Sequence, residues 1–213
     1  MPLVLGEPTR NSIPVILTRR ASWRRTFDDL SPEARAYATA TGYEAAPGTH
    51  LIAPNAKGGI ACVVFSLAET EGRTEPFSFG RLATLLPRGR YRLEGADDPA
   101  GHAELSFLLS AYKFGRYRDP KPRHVVLESP RGPGRERIET IAEAVALGRD
   151  LINTPANDMG PSALEQAASA LAKRFGARIK TVRGGQLLTS GFPLIHAVGK
   201  GAADAPRLVD IRW

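Results

Sequence analysis

The side chains able to do chemistry in this 213-residue chain are four histidines, one cysteine and a scatter of carboxylates and amines. His50, His102, His124 and His196 stand far apart, and none has a second ligand two to four residues away, the spacing that places two donors on one metal ion. Each therefore reads as a surface or core histidine. Cys62 is the single cysteine and sits in the apolar run Ile60-Ala61-Cys62-Val63-Val64-Phe65, where a strand-buried thiol with no adjacent base is expected to be inert. Dedicated motifs are missing: there is no H-E-x-x-H, no C-x-x-C and no G-x-S-x-G elbow. Gly132-Pro133-Gly134 opens like a dinucleotide fingerprint, but Arg137 stands where the third glycine belongs. Lys200 is followed by Gly201, so no phosphate-cradling G-K-[ST] loop forms.

The composition bounds the rest. A 42% hydrophobic and 24% charged chain is ordinary for a globular protein, with length for one large domain or one and a half. A lone cysteine excludes a disulfide framework and fits a reducing compartment. The start, Met1-Pro2-Leu3-Val4-Leu5-Gly6-Glu7, lacks the charged and apolar regions of a signal peptide, and no apolar run nears the ~18 residues of a membrane span. A cytoplasmic protein without membrane association is expected. The net charge of +7 raises nucleic acid as a partner. Its basic residues fall in short groups at Arg19-Arg20, Arg24-Arg25, Arg88-Gly89-Arg90-Tyr91-Arg92 and residues 113–123, the last interleaving aromatics with cations.

The elements that would position these groups alternate. Strands are expected at 13–18, 51–54, 60–67, 91–93, 124–128, 178–182, 194–198 and 207–211, with 51–54 and 60–67 forming a hairpin around Asn55-Ala56-Lys57-Gly58-Gly59. Helices are expected at 22–30, 79–86, 103–114 and 185–190, and at 32–41 behind Ser31 as N-cap with Pro32 in the first turn. A long amphipathic helix is expected over 135–152, with Ile138, Ile141, Val145 and Ile152 near one face. A further helix over 161–175 carries Leu164, Ala168, Leu171 and Phe175 on its apolar side and ends at Gly176. Residues 69–75 and 129–134 read as loops. Strands alternating with helices give an α/β fold.

Between the last two helices lies Asn153-Thr154-Pro155-Ala156-Asn157-Asp158-Met159-Gly160-Pro161, too ordered in composition to be a loose linker. Asn153, Asn157 and Asp158 read as caps of helix ends and turns. This string closely resembles the domain junction of the leucyl (cytosol) aminopeptidase family of metallo-exopeptidases. Phe192-Pro193-Leu194-Ile195-His196-Ala197-Val198-Gly199 and Pro206-Arg207-Leu208 match the same family further on. Weaker likeness extends to Ala46-Pro47-Gly48, Leu85-Leu86-Pro87-Arg88-Gly89 and Tyr112-Lys113-Phe114-Gly115-Arg116-Tyr117.

The resemblance implies a macro-like N-terminal α/β domain over 1–132, a linking helix over 133–153 and the start of a C-terminal metallopeptidase domain over 154–213, left incomplete. It implies a two-metal aminopeptidase that removes N-terminal residues, preferably Leu, from peptides. The implied cofactors are two divalent ions (manganese, zinc or magnesium), and the implied assembly is a homo-hexamer. The family's metal-binding segment, G-K-G-x-x-x-D-x-G-G, is only mimicked by Gly199-Lys200-Gly201: Ala205 stands at the Asp position and Asp204 is one place out of register. Lys200 is therefore read as an exposed loop residue. His196, inside a family-like stretch, has the strongest functional case of the histidines, yet its apolar neighbours explain it by packing. No catalytic or metal-binding residue is expected within the chain, the family's motifs falling beyond Trp213, and the 213 residues alone are expected to be inactive. The alternative is a stand-alone macro-like or basic nucleic-acid-binding module without catalysis.

Overall fold

The computed structural model describes residues 5–70, 73–75, 77–95, 101–118 and 125–213. His124, the opening residues 1–4 and the end of the basic group at 113–123 lie outside them. Two compact units divide the chain, Met1–Leu147 and Gly148–Trp213.

The first unit is built on β1 (Ile13–Thr18), whose β-branched residues suit a pleated, buried strand. After it come α1 (Trp23–Asp29) and α2 (Pro32–Ala40). Ser31 caps α2 as expected: its Oγ accepts from the Ala34 amide at 3.2 Å, and Pro32 fills the first turn. The helix stops where Gly42 turns left-handed at φ 63°. β2 (His50–Pro54) and β3 (Ile60–Ser66) form the expected antiparallel hairpin. Its turn is held by Asn55 Oδ1, which accepts from the amides of Lys57 (2.9 Å) and Gly59 (3.0 Å).

The polar stretch at 69–75, expected as a loop, instead contains a minimal hairpin of β4 (Glu69–Thr70) and β5 (Arg73–Thr74). Two residues per strand are too few to show a period-two pattern in sequence. A short helical segment follows, a 3-10 turn at Ser78–Arg81 running into α3 (Leu82–Leu85). Then come β6 (Gly89–Glu94), α4 (His102–Ala111) and β7 (Val125–Glu128).

Among the described residues, five strands make one mixed sheet in the order β2-β3-β1-β6-β7, parallel throughout except for β2. The period-two alternation of strand side chains separates two clusters. Val15, Leu17, Val63, Phe65, Tyr91 and Leu127 pack with Phe79, Leu82, Phe107 and Leu108 in the main core. Cys62 and Val64, of opposite parity, join Leu51, Ala53, Ala34 and Ala38 in a second cluster beneath α2.

α5 (Pro133–Asn153) begins inside the stretch expected as a loop, because proline is compatible with a first helical turn. Its buried side chains are Ile138 and Ala142, while Ile152, expected on the same apolar face, is 84% exposed.

The second unit contains α6 (Pro161–Arg174), β8 (Arg178–Arg183), α7 (Gln186–Thr189), α8 (Pro193–Gly199) and β9 (Arg207–Arg212). β8 and β9 pair antiparallel, from Arg178 opposite Arg212 to Arg183 opposite Arg207. Gly176 ends α6 with φ 68°, as its position predicts. Residues 194–198, expected as a strand, are helical. Four apolar residues around His196 fit either period, and Pro193 at the first helical position tips the stretch to helix. No described helix is long and apolar enough to cross a membrane.

Candidate functional site

The junction that carried the family likeness is a compact turn. At the end of α5 the Thr154 amide and Oγ1 both donate to the Asp150 carbonyl, at 3.1 and 2.7 Å. The amides of Asp158 and Met159 both donate to the Pro155 carbonyl at 2.9 Å. Gly160 is extended and Pro161 opens α6. Asn153, Asn157 and Asp158 all lie on the surface.

The carboxylate that serves the start of α6 comes from Asp204, in the loop between α8 and β9. Its Oδ2 accepts from the Ser162 amide at 2.6 Å, placing a negative charge at the positive end of the helix. Hydrogen bonds from the Ser162 backbone and then its side chain hold the Asp204 pKa below the usual carboxylate range. Arg207 Nη2 binds the other oxygen, Oδ1, at 2.6 Å.

Arg207 also donates from Nη1 to Glu165 Oε2 at 2.7 Å, and Arg183 clasps the same carboxylate from Nε at 3.0 and 3.1 Å and from Nη2. Glu165 is only 6% exposed. The Arg183 hydrogen bond is the chief reason its pKa falls to about 2, with Arg207 adding to it and burial opposing it. A carboxylate so held stays ionised at neutral pH and is no general base. It ties α6 to both strands of the hairpin.

The inward side of α6 is accordingly Glu165 and Ala172, while Leu164 and Phe175 are 52% and 49% exposed. The apolar side expected for this helix is corrected at Leu164 and Phe175, while Ala168 and Leu171 are half-buried: the charge network turns Glu165 inward, one helical step (~100°) from Leu164.

The other candidates are dispersed. Lys200 caps the end of α8 with its amide on the His196 carbonyl at 2.9 Å, and its side chain is exposed. His196 is half-buried on α8 and His102 is exposed at the first position of α4. His50 is half-buried on β2, where burial, and after it the charge of Arg81, lowers its pKa. Burial, with Glu94 second, raises the Cys62 thiol, so it is no ready nucleophile. Among the described residues no three His, Cys, Asp or Glu side chains converge as a metal site would require.

Residues 13–130 match the family model for the M17 aminopeptidase N-terminal domain, and residues 146–213 match that for the catalytic domain of the cytosol aminopeptidase family. The chain belongs to the M17 aminopeptidase family. A probable cytosol aminopeptidase from Streptomyces coelicolor is 38% identical over 78 residues, 37% of this chain and 15% of that protein. Another from a Geobacter species is 34% identical over 119 residues, 50% of this chain and 24% of that protein. The crystal structure of cytosol aminopeptidase from Coxiella burnetii is 32% identical with a TM-score of 0.89, covering 99% of this chain and 46% of that one. The fold is shared by the bottromycin maturation enzyme BotP in complex with Mn, at 24% identity and TM-score 0.70, covering 94% of this chain and 44% of that one. The M17 chain thus spans about half the length of the solved structures it matches and less of the curated relatives.

Sequence reasoning missed Glu165, Arg183 and Arg207 in this M17 chain. The signal lies in the hairpin register: Arg183 and Arg207 stand directly opposite each other, and like charges so placed repel unless a counter-charge joins them. That pairing becomes visible only once the register is known.

Proposed function

We propose that this chain is the scaffold portion of a two-metal leucyl-type aminopeptidase that removes N-terminal residues from peptides. Residues 1–132 form its N-terminal domain, 133–153 its linking helix and 154–213 the opening of its catalytic domain. The reading is supported above all by the likeness to Coxiella burnetii cytosol aminopeptidase, which takes in 99% of this chain and 46% of that one. The catalytic and metal-binding groups lie outside these 213 residues.

The described donor set does not fit a pair of metal ions. Asp204 is bound by Ser162 and Arg207, Glu165 by Arg183 and Arg207, and Lys200 ends a helix in solvent. No catalytic step is therefore assigned to residues of this chain. Their contribution is to fix α6 on the β8–β9 hairpin. The whole protein takes two divalent ions (manganese, zinc or magnesium), assembles as a homo-hexamer and works in the cytoplasm. The manganese in BotP, which shares the fold, supports the metal class.

Hydrolysis of a leucine anilide with added manganese tests the reading. The 213-residue chain alone should show no turnover. A chimera that joins it to the remainder of the Coxiella burnetii enzyme should cleave the substrate. Turnover by the chain alone, or a folded chimera without activity, overturns the proposal.

A further inference from the structure

The segment 5–12 lies along the outer edge of β7 and reaches from there to α5. Gly6 makes a single parallel bridge with Glu128: its amide donates to the Leu127 carbonyl at 2.8 Å and its carbonyl accepts from the Ser129 amide at 3.1 Å. A Cβ at Gly6 would stand 2.4 Å from Val126 Cγ1 and 3.0 Å from Arg90 Nη2, so only glycine permits this approach. Beside it, Leu5 is buried in the main core.

From this bridge the segment grips the start of α5. The Leu5 amide donates to Glu139 Oε1 at 2.9 Å, and Arg135 donates to the carbonyls of Leu5, Gly6 (3.2 Å) and Ser129 (3.0 Å). Glu7 accepts from Arg131 at 2.5 Å and from Arg135 at 3.3 Å. Further along, the Thr9 amide and hydroxyl both donate to buried Glu128 at 2.8 Å, and Arg90 Nε donates to the same carboxylate at 2.6 Å.

α5 buries few side chains of its own, Ile138 and Ala142 in 21 residues, so these links form a large share of its hold on the first unit. We propose that residues 5–12 are a detachable latch that fastens the first two turns of α5 to the β7 edge. Its release frees the helix start and leaves the five-stranded sheet intact, because none of the β1, β3, β6 and β7 pairings passes through it. One backbone bridge, one buried side chain and a few side-chain links, of which Arg131–Glu7 is exposed, make a fastening that opens more readily than the hydrogen-bonded strands of the sheet. Since α5 runs on to Asn153, the latch governs how firmly the helix leading into the second unit is anchored.

Hydrogen exchange read by mass spectrometry on the full chain tests this, with Gly6→Val and with a variant lacking residues 1–8. Amides at 137–142 should exchange about tenfold or more faster in both variants, while amides at 60–66 keep their protection. Unchanged protection at 137–142, or an equal loss at 60–66, overturns the latch.

Discussion

A buried carboxylate between two guanidiniums is a stabilising group only while it is charged. Glu165 has its pKa lowered from about 4.5 to about 2, chiefly by the Arg183 hydrogen bond. Because the folded-state value lies below the unfolded one, its contribution is fully present above pH ~4.5 and lost as pH falls towards ~2. Replacing it by Gln removes the charge that Arg183 and Arg207 share and leaves Arg207, whose side chain is 12% exposed, with its ion pair to Asp204. Glu165→Gln should lower the melting temperature by about 5 °C at pH 7 and flatten the acid dependence of stability between pH ~4.5 and ~2. Thermal melts of both proteins across that range check it. An equally steep acid transition in the variant would assign the effect to other carboxylates.

Helix ends show how much a sequence discloses at the level of elements. Ser31 and Pro32 announce the start of α2 because a cap acts within three residues, and the structure has the Ser31 Oγ on the Ala34 amide. Ser31→Ala should cost about 1 kcal/mol, read as a lower urea midpoint at unchanged slope. The cap at the start of α6 was not legible, since Asp204 comes from 42 positions away. The same distinction separates β1, whose bounds follow from six residues of composition, from α8, expected as a strand. Residues 194–198 offer apolar side chains of either period, and Leu194 and Val198 end up 79% and 87% exposed, so burial does not mark them either.

At the scale of the molecule the two units differ in how they are held. Among the described residues the first has sixteen buried residues in its main cluster, with a second cluster beyond the sheet. The buried apolar side chains described in the second are Ala172, Leu187 and Pro206, beside buried Glu165 and Thr154. Apolar burial scales with area removed from water, so within these 213 residues the charge network carries more of the hold on residues 148–213. Its β8 and β9 amides should exchange at least tenfold faster than those of β1 and β3, and exchange at matched rates would refute that ordering. The sequence alone determined the α/β class, the edges of most elements and the family, through the junction 153–161, because each is written in neighbouring residues. Only the tertiary structure decided that Glu165 faces inward, that Asp204 caps α6 and that residues 5–7 bond to the start of α5. Those contacts join positions 18 to 134 residues apart, and local propensity carries no record of which distant side chains will meet.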